Sequence, residues 1–295
     1  MSDTFKQAIS LHQTGDFVAA EQCYVALLNN NDNDINRKNI HYLLGLLYSQ
    51  IKQYDKAIYQ LEQSLPLNRK NADLYNALAV CHQKKHQIKA AERFINIACK
   101  IAPANANYLN RKSKILISSN KLAQSIANAS LCISKNPDFF PAYQSYVTAC
   151  NLLLRPDNGL RLLKKACKLF QGNPEVLFSL AEAYMNTGKH IKAKKIFEDL
   201  SQEKYKTIAC LNNLGNIEKD YGQTIAAKQY YEQALQLSPD NPATQWNLGL
   251  VQLLEGNYTS SWNQYDERLK LYNKSTCLDK VKTWKGENLN NKSII

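Results

Sequence analysis

The sequence predicts an all-α fold, a solenoid of about eight helix-turn-helix repeats over residues 1–275. The main observation is the spacing of small residues, each of which follows a short polar turn. The first step between them is 37 residues and the next six are 34 residues each: Ala20, Ala57, Ala91, Ser125, Gly159, Ala193, Ala227 and Ser261. A low content of glycine (10) and proline (8) also excludes a linker-like or low-complexity chain.

The repeats share a pattern of apolar and small residues that each of them keeps in part. In the full pattern, a leucine is followed by glycine or alanine, then by an aromatic residue, a small residue after the turn and a closing proline. The sixth repeat shows most of these positions: Leu180, Ala181, Tyr184, Ala193 and Phe197. The small residues let two helices approach closely, and proline ends the second helix because it cannot continue one. Neither helix can bury its apolar stripe alone, so neighbouring repeats must stack.

Three places depart from this pattern. The fourth repeat has Lys112 and Ser113 in the leucine and glycine positions, and the fifth repeat lacks its closing proline. The longer first step falls in the polar stretch NNNDNDINRK, residues 29–38, which predicts a loop after the first repeat. The other repeats keep their register on both sides of these departures.

The 34-residue pattern resembles the tetratricopeptide repeat (TPR) over roughly residues 1 to 275. This resemblance implies a right-handed superhelix in which the first helix of each repeat lines a concave groove. It also implies that the groove binds a protein or a peptide, and that the chain acts as a scaffold.

Polar residues of the first helices are the candidate groove residues. Asn213 and Asn247 occupy a position that resembles the asparagine ladder of TPR-bearing sugar transferases. An asparagine amide both donates and accepts hydrogen bonds, so it can pair with an extended peptide backbone of any sequence. The alternative is that these residues are ordinary solvated positions in an asparagine-rich chain. The candidate peptide-binding residues are Asn76, Lys84, Asn110, Lys114, Asn212, Asn213, Asn216, Lys219 and Asn247.

The end of the chain departs from a plain TPR. Two runs follow each other here: Trp262, Tyr265, Asp266 and Arg268, then Trp284, Gly286, Glu287, Leu289 and Lys292. Together they resemble a bacterial family that joins TPR repeats to a two-lobed glycosyltransferase domain. The resemblance implies that residues 276–295 are a linker and the first strand of that domain, truncated by design, by a frameshift or by a gene break. The alternative is that the aromatic residues form the core of a capping helix.

Composition and motifs argue against chemistry in this chain. The net charge is +12, but the lysines occur in short clusters typical of solvated helix faces, so a basic nucleic-acid-binding solenoid is an alternative and an acidic protein partner is favoured. The eight cysteines include no CxxC pair, and no signal peptide or membrane span is evident, so we expect a reduced, cytoplasmic protein. His82 and His86 lack further metal ligands, and no nucleotide or nucleophile motif is present. We therefore expect no metal, no cofactor, no small-molecule ligand and no enzyme activity, unless another chain supplies a glycosyltransferase domain.

Overall fold

In a computed structural model, residues 3–30, 34–66 and 70–271 are described, and the regular secondary structure of these residues is helical throughout. The chain divides into two compact units, Met1–Ser179 and Leu180–Ile295, with the boundary inside one helix. The described helices are α1 (Asp3–Thr14), α2 (Phe17–Asn30), α3 (Asp34–Gln50), α4 (Tyr54–Ser64), α5 (Ala72–Lys84), α6 (Ile88–Ile101), α7 (Ala106–Ser118), α8 (Leu122–Lys135), α9 (Phe140–Leu152), α10 (Pro156–Leu169), α11 (Pro174–Asn186), α12 (His190–Gln202), α13 (Thr207–Asp220), α14 (Thr224–Leu237), α15 (Pro242–Leu254), α16 (Tyr258–Tyr265) and α17 (Arg268–Leu271).

The helices pack as the repeat pattern predicts. In the first unit α1 packs on α2, α3 on α4, α5 on α6, α7 on α8 and α9 on α10, and in the second unit α13 packs on α14 and α15 on α16. Within each unit, second helices also contact the first helix of the next repeat, as α4 contacts α5 and α14 contacts α15. The predicted all-α repeat fold is therefore confirmed.

The turn inside each repeat has one backbone conformation. Its central residue lies in the left-handed region and recurs every 34 residues: Lys52, His86, Asn120, Leu154, Gly188, Gly222 and Gly256. Around His86, for example, the backbone amide of Gln87 donates to His82 and that of His86 donates to Gln83. This is the double hydrogen bond that ends a helix at a left-handed residue.

The core explains the spacing of the small residues. All eight landmark positions are buried, and the alanines among them have no exposed surface. A second small position lies on most first helices, with Val147 as the exception in the fifth repeat, and its glycines face a residue 16 positions later on the second helix. At Gly45 a Cβ atom would meet Leu61 Cγ at 2.7 Å, and at Gly215 it would meet Tyr231 Cε1 at 2.5 Å. Glycine is therefore required where the opposing side chain is large and close.

The polar loop predicted for residues 29–38 is wrong over much of its length. Helix α2 continues to Asn30, and α3 begins at Asp34. Helix α3 has 17 residues, whereas α5, α7 and α9 have 13 each. The extra residues of the long first step are thus accommodated partly by a longer helix, because aspartate and asparagine are tolerated in the first turn of a helix.

The aromatic run near the end of the second unit forms a cluster of mutual contacts. The rings of Trp262 and Tyr265 meet edge to face with centroids 5.6 Å apart, and the guanidinium of Arg268 lies 4.0 Å from the Tyr265 ring centre. Arg268 also pairs with Asp266 at 2.8 Å. Residues 276–295, for which a linker and a strand are predicted, lie outside the described residues, so that assignment stays a prediction. No helix of the described residues is long and apolar enough to span a membrane.

Candidate functional site

The first helices of consecutive repeats form one face in each unit. Helix α3 contacts α5 and α7 contacts α9 in the first unit, and α13 contacts α15 in the second unit. We call the surface of α5, α7 and α9 around Asn76, Arg111 and Asn151 the inner face of the first unit. The surface of α13 and α15 around Asn213 and Asn247 is the inner face of the second unit. All nine predicted groove residues lie on these first helices.

On the inner face of the second unit, two of the predicted asparagines hold helices together. The Asn212 amide donates to Thr244 Oγ1 at 2.8 Å, which links α13 to α15. The Asn216 side-chain oxygen accepts a hydrogen bond of 2.8 Å from the Tyr231 hydroxyl on α14. Asn213 and Asn247 are half-buried and make no side-chain hydrogen bond within the described residues. Their amides are therefore available to a ligand.

On the inner face of the first unit, the predicted residues differ in accessibility. Asn110 is only 8% exposed, and its side-chain oxygen accepts a hydrogen bond of 2.7 Å from the Ser145 hydroxyl. This asparagine joins α7 to α9. Asn76 is half-buried, whereas Lys84 and Lys114 are exposed on the surface of α5 and α7.

Sequence reasoning missed two residues of these faces. Arg111 lies at the repeat position of Asn213, and Trp246 lies at the repeat position of Asn212. Arg111 is half-buried and has no ion pair or hydrogen bond in the described part of the chain, and burial lowers the pKa of its guanidinium. Both could have been predicted from the 34-residue register, because Arg111 is next to Asn110 and Trp246 is next to Asn247. The prediction considered asparagine and lysine side chains and passed over these two neighbours.

Several buried polar atoms on the inner faces have no partner among the described residues. In the first unit they are Asn76 Oδ1, Arg111 Nε and Asn151 Oδ1, and in the second unit Asn212 Oδ1 and Trp246 Nε1. A buried donor or acceptor without a partner costs about 1–3 kcal/mol, so such atoms are uncommon in folded proteins. Each unit therefore presents both unsatisfied donors and unsatisfied acceptors on the same face.

A cleft of about 410 Å³ opens on the inner face of the second unit. It lies between the C-terminal halves of α13 and α15 and is lined by Lys219, Asp220, Leu250, Leu253 and Leu254. Leu254 is 68% exposed. The arrangement offers apolar surface with one cation and one carboxylate at its rim.

The described residues do not bring metal ligands together. No group of three or more histidine, cysteine, aspartate or glutamate side chains there could hold a metal ion. The His82 ring hydrogen-bonds Gln87 at 2.6 Å and stacks on Phe94 with centroids 5.2 Å apart. This histidine is part of the helix packing of the third repeat.

Three family models match the chain, all of them for tetratricopeptide repeats, at residues 39–71, 155–212 and 215–256. In the solved structures, a tetratricopeptide repeat protein from Parabacteroides merdae is similar in fold, with a TM-score of 0.69, 14% identity and coverage of 85% of this chain and 98% of that one. With the helix packing described above, these matches identify the chain as a tetratricopeptide repeat protein.

Curated relatives resemble the repeat region over most of this chain. The human protein O-mannosyl-transferases TMTC3 and TMTC1 are 29% and 21% identical to it over 220 residues, which is 72% of this chain. The chain spans 24% of the length of each of these two proteins. Its repeats therefore resemble those of glycosyltransferases, and no catalytic domain is evident in the described residues.

Proposed function

We propose that the chain is a protein- or peptide-binding scaffold whose inner faces hold an extended segment of a partner. The observation that supports this most is on the second unit, where the half-buried Asn213 and Asn247 make no side-chain hydrogen bond within the described residues. An extended peptide offers alternating N–H and C=O groups, and each asparagine amide can donate to a peptide carbonyl and accept from a peptide N–H. On the same face, the buried Trp246 Nε1 and Asn212 Oδ1 have no partner among the described residues.

The expected affinity is moderate. Each hydrogen bond to the peptide backbone contributes only about 0.5–1.5 kcal/mol net, so several are needed for a micromolar complex. The lysines of the inner faces, with a chain of net charge +12, favour an acidic partner. That part of the binding weakens with salt, because exposed charges are screened over about 10 Å at 0.1 M ionic strength.

We further propose that this scaffold is the non-catalytic recognition part of a TPR-glycosyltransferase. The similarity to two protein O-mannosyl-transferases supports this, as does the tryptophan- and tyrosine-containing run around Trp262. In this role the repeats select the protein that the transferase modifies, while another domain or chain carries the catalytic residues. A cytoplasmic location fits thiols buried among apolar side chains, such as Cys81 and Cys210.

The proposal is tested with peptides selected by the full chain from a library of randomised decapeptides. The double variant Asn213→Ala with Asn247→Ala is expected to raise the dissociation constant of every selected peptide about tenfold, which is the equivalent of one or two hydrogen bonds. The factor should be similar for all peptides, because contacts with the backbone carry no sequence information. Fluorescence anisotropy of the labelled peptides gives the dissociation constants.

A matched control is Asn96→Ala, which removes a half-buried asparagine from the second helix α6. Peptide affinity should be unchanged in this variant. If the double variant binds the selected peptides as tightly as the parent chain, the inner face of the second unit is not the binding surface.

A further inference from the structure

We propose that the cleft between α13 and α15 takes one apolar side chain of the bound peptide, and that Lys219 at its rim pairs with a carboxylate on a neighbouring peptide residue. The inference rests on the proposed peptide-binding function and adds a sequence preference to it. The occupant is therefore an extended segment in which a leucine-like residue stands beside aspartate or glutamate.

The lining of the cleft determines the apolar part of this preference. Leu250, Leu253 and Leu254 supply its walls, and its volume of about 410 Å³ is at the lower end of the range for ligand pockets. A helix is about 10 Å across, so this space would hold only about one turn of it. One large side chain projecting from an extended segment fits the cleft better, and it would cover the exposed surface of Leu254.

The charges around the cleft favour a carboxylate rather than a cation. Lys219 is half-buried and makes no ion pair within the described part of the chain, whereas Asp220 is exposed. A pair with a partly buried charge gains more than a pair with an exposed one. The neighbouring Glu218 is already neutralised by Lys194, with 2.7 Å between the ammonium nitrogen and the carboxylate oxygen. Among the described residues of α13 and α15, Lys219 is therefore a cation without a carboxylate to bind.

The cleft is built from the same two helices, α13 and α15, as the polar part of this face. Asn212 and Lys219 lie seven residues apart on α13, which is about 10 Å along a helix. An extended chain covers that distance in about three residues, at roughly 3.3 Å each. A single short segment can thus pair its backbone with the amide of Asn213, next to Asn212, and still place a side chain in the cleft.

The test is a selection of randomised decapeptides by the full chain and by two variants of it. The parent chain is expected to enrich peptides with an apolar residue next to aspartate or glutamate. The charge reversal Lys219→Glu should enrich apolar residues next to lysine or arginine instead, and it should weaken the peptides selected by the parent at least about tenfold. The polar replacement Leu254→Ser should reduce the enrichment of large apolar residues.

Two matched controls make the same substitutions, lysine to glutamate and leucine to serine, at positions outside the cleft. Lys195→Glu changes an exposed lysine of α12, and Leu237→Ser changes a leucine of α14 that is 58% exposed. Both should select the same peptides as the parent chain. Far-ultraviolet circular dichroism confirms that each variant is folded before it is used.

The outcomes separate this inference from the function on which it rests. Peptides that are enriched equally by the parent chain and by Lys219→Glu, or that lack an apolar residue, overturn the cleft proposal and leave peptide binding intact. A parent chain that enriches no peptide overturns both.

Discussion

Replacing Gly215 by alanine tests the close approach of α13 and α14 directly. The added Cβ atom would lie 2.5 Å from Cε1, 2.8 Å from Cζ and 2.9 Å from Cδ1 of Tyr231. The Tyr231 side chain is fully buried, and its hydroxyl donates a hydrogen bond of 2.8 Å to Asn216. The ring therefore cannot move aside without breaking that bond or displacing the helices.

The expected cost follows from three contributions. Overpacking a close-packed core costs about 1–3 kcal/mol, and loss of the Tyr231 hydrogen bond adds about 1 kcal/mol. Alanine recovers about 1 kcal/mol over glycine through its higher helix propensity. The Gly215→Ala variant should thus lower the free energy of unfolding by about 2 kcal/mol, which corresponds to a fall of about 4–8 °C in Tm for a chain of this size.

Urea denaturation followed by circular dichroism measures this change. The matched control is Gly159→Ala, where the nearest atom to the added Cβ is Val147 Cγ1 at 3.3 Å. That variant should stay within about 1 kcal/mol of the parent, since the helix gain offsets a small adjustment. Adding Tyr231→Ile to Gly215→Ala should recover part of the loss. The third repeat has this combination, since Ala79 and Ile95 occupy the equivalent positions and both are fully buried. A Gly215→Ala variant as stable as the parent chain would refute the close-contact argument.

Three further predictions concern single residues of the first unit. Leu154 is 88% exposed with a φ of 56°, so Leu154→Gly should stabilise the chain by about 1 kcal/mol in urea denaturation; a loss of stability would contradict this. Ser145→Ala leaves the buried Asn110 oxygen without its donor and should cost about 1–3 kcal/mol, and an unchanged unfolding midpoint would show that water replaces the hydroxyl. Burial raises the pKa of Tyr24 to about 12. The contribution of Tyr24 to the free energy of unfolding is therefore fully present below about pH 10, the pKa of the unfolded side chain, and is lost as the pH rises towards 12. Unfolding midpoints between pH 8 and 11 should fall less steeply in Tyr24→Phe than in the parent chain, and equal slopes would contradict the assignment.

The register of the repeats could be predicted from sequence because it depends on sterics. A small residue is needed wherever two helices touch, and that requirement recurs at every repeat. The left-handed turn was harder to predict. It has glycine in Gly188, Gly222 and Gly256, but Lys52 and Leu154 adopt the same conformation. At those turns, the hydrogen bonds that end the helix outweigh the local preference of the residue.

The fourth repeat shows why a degenerate pattern can still fold in register. Ser113 stands at the glycine position and is fully buried. Its hydroxyl accepts a hydrogen bond of 2.8 Å from the Asn128 amide, and its carbonyl accepts one of 3.0 Å from the Ser125 hydroxyl. A satisfied polar network thus replaces the apolar contact between α7 and α8. Sequence pattern alone could not indicate this, because it depends on three side chains meeting across two helices.

The candidate site could be predicted by position but not by role. The repeat register placed Asn110 and Asn213 on first helices, and both are there. Their surroundings differ, since Asn110 is held by Ser145 whereas Asn213 makes no side-chain bond among the described residues. Which asparagine is used for packing and which is available for binding depends on the residue that the next repeat places opposite it.

The same reasoning applies to ionic pairs between repeats, and it indicates how one scaffold can acquire a binding face. Lys194 pairs with Glu218 in the second unit, and Lys228 occupies the equivalent position one repeat later. There the equivalent of Glu218 is Gln252, whose oxygen is buried and has no partner in the part of the chain that the structure describes, and Lys228 approaches Glu232 on its own helix at 3.9 Å instead. The repeat therefore fixes which positions face each other, while single substitutions decide whether the pair closes. Where such a pair forms, it holds two repeats together. Where it does not form, polar groups remain that a partner can bind, as with the half-buried amides of Asn213 and Asn247.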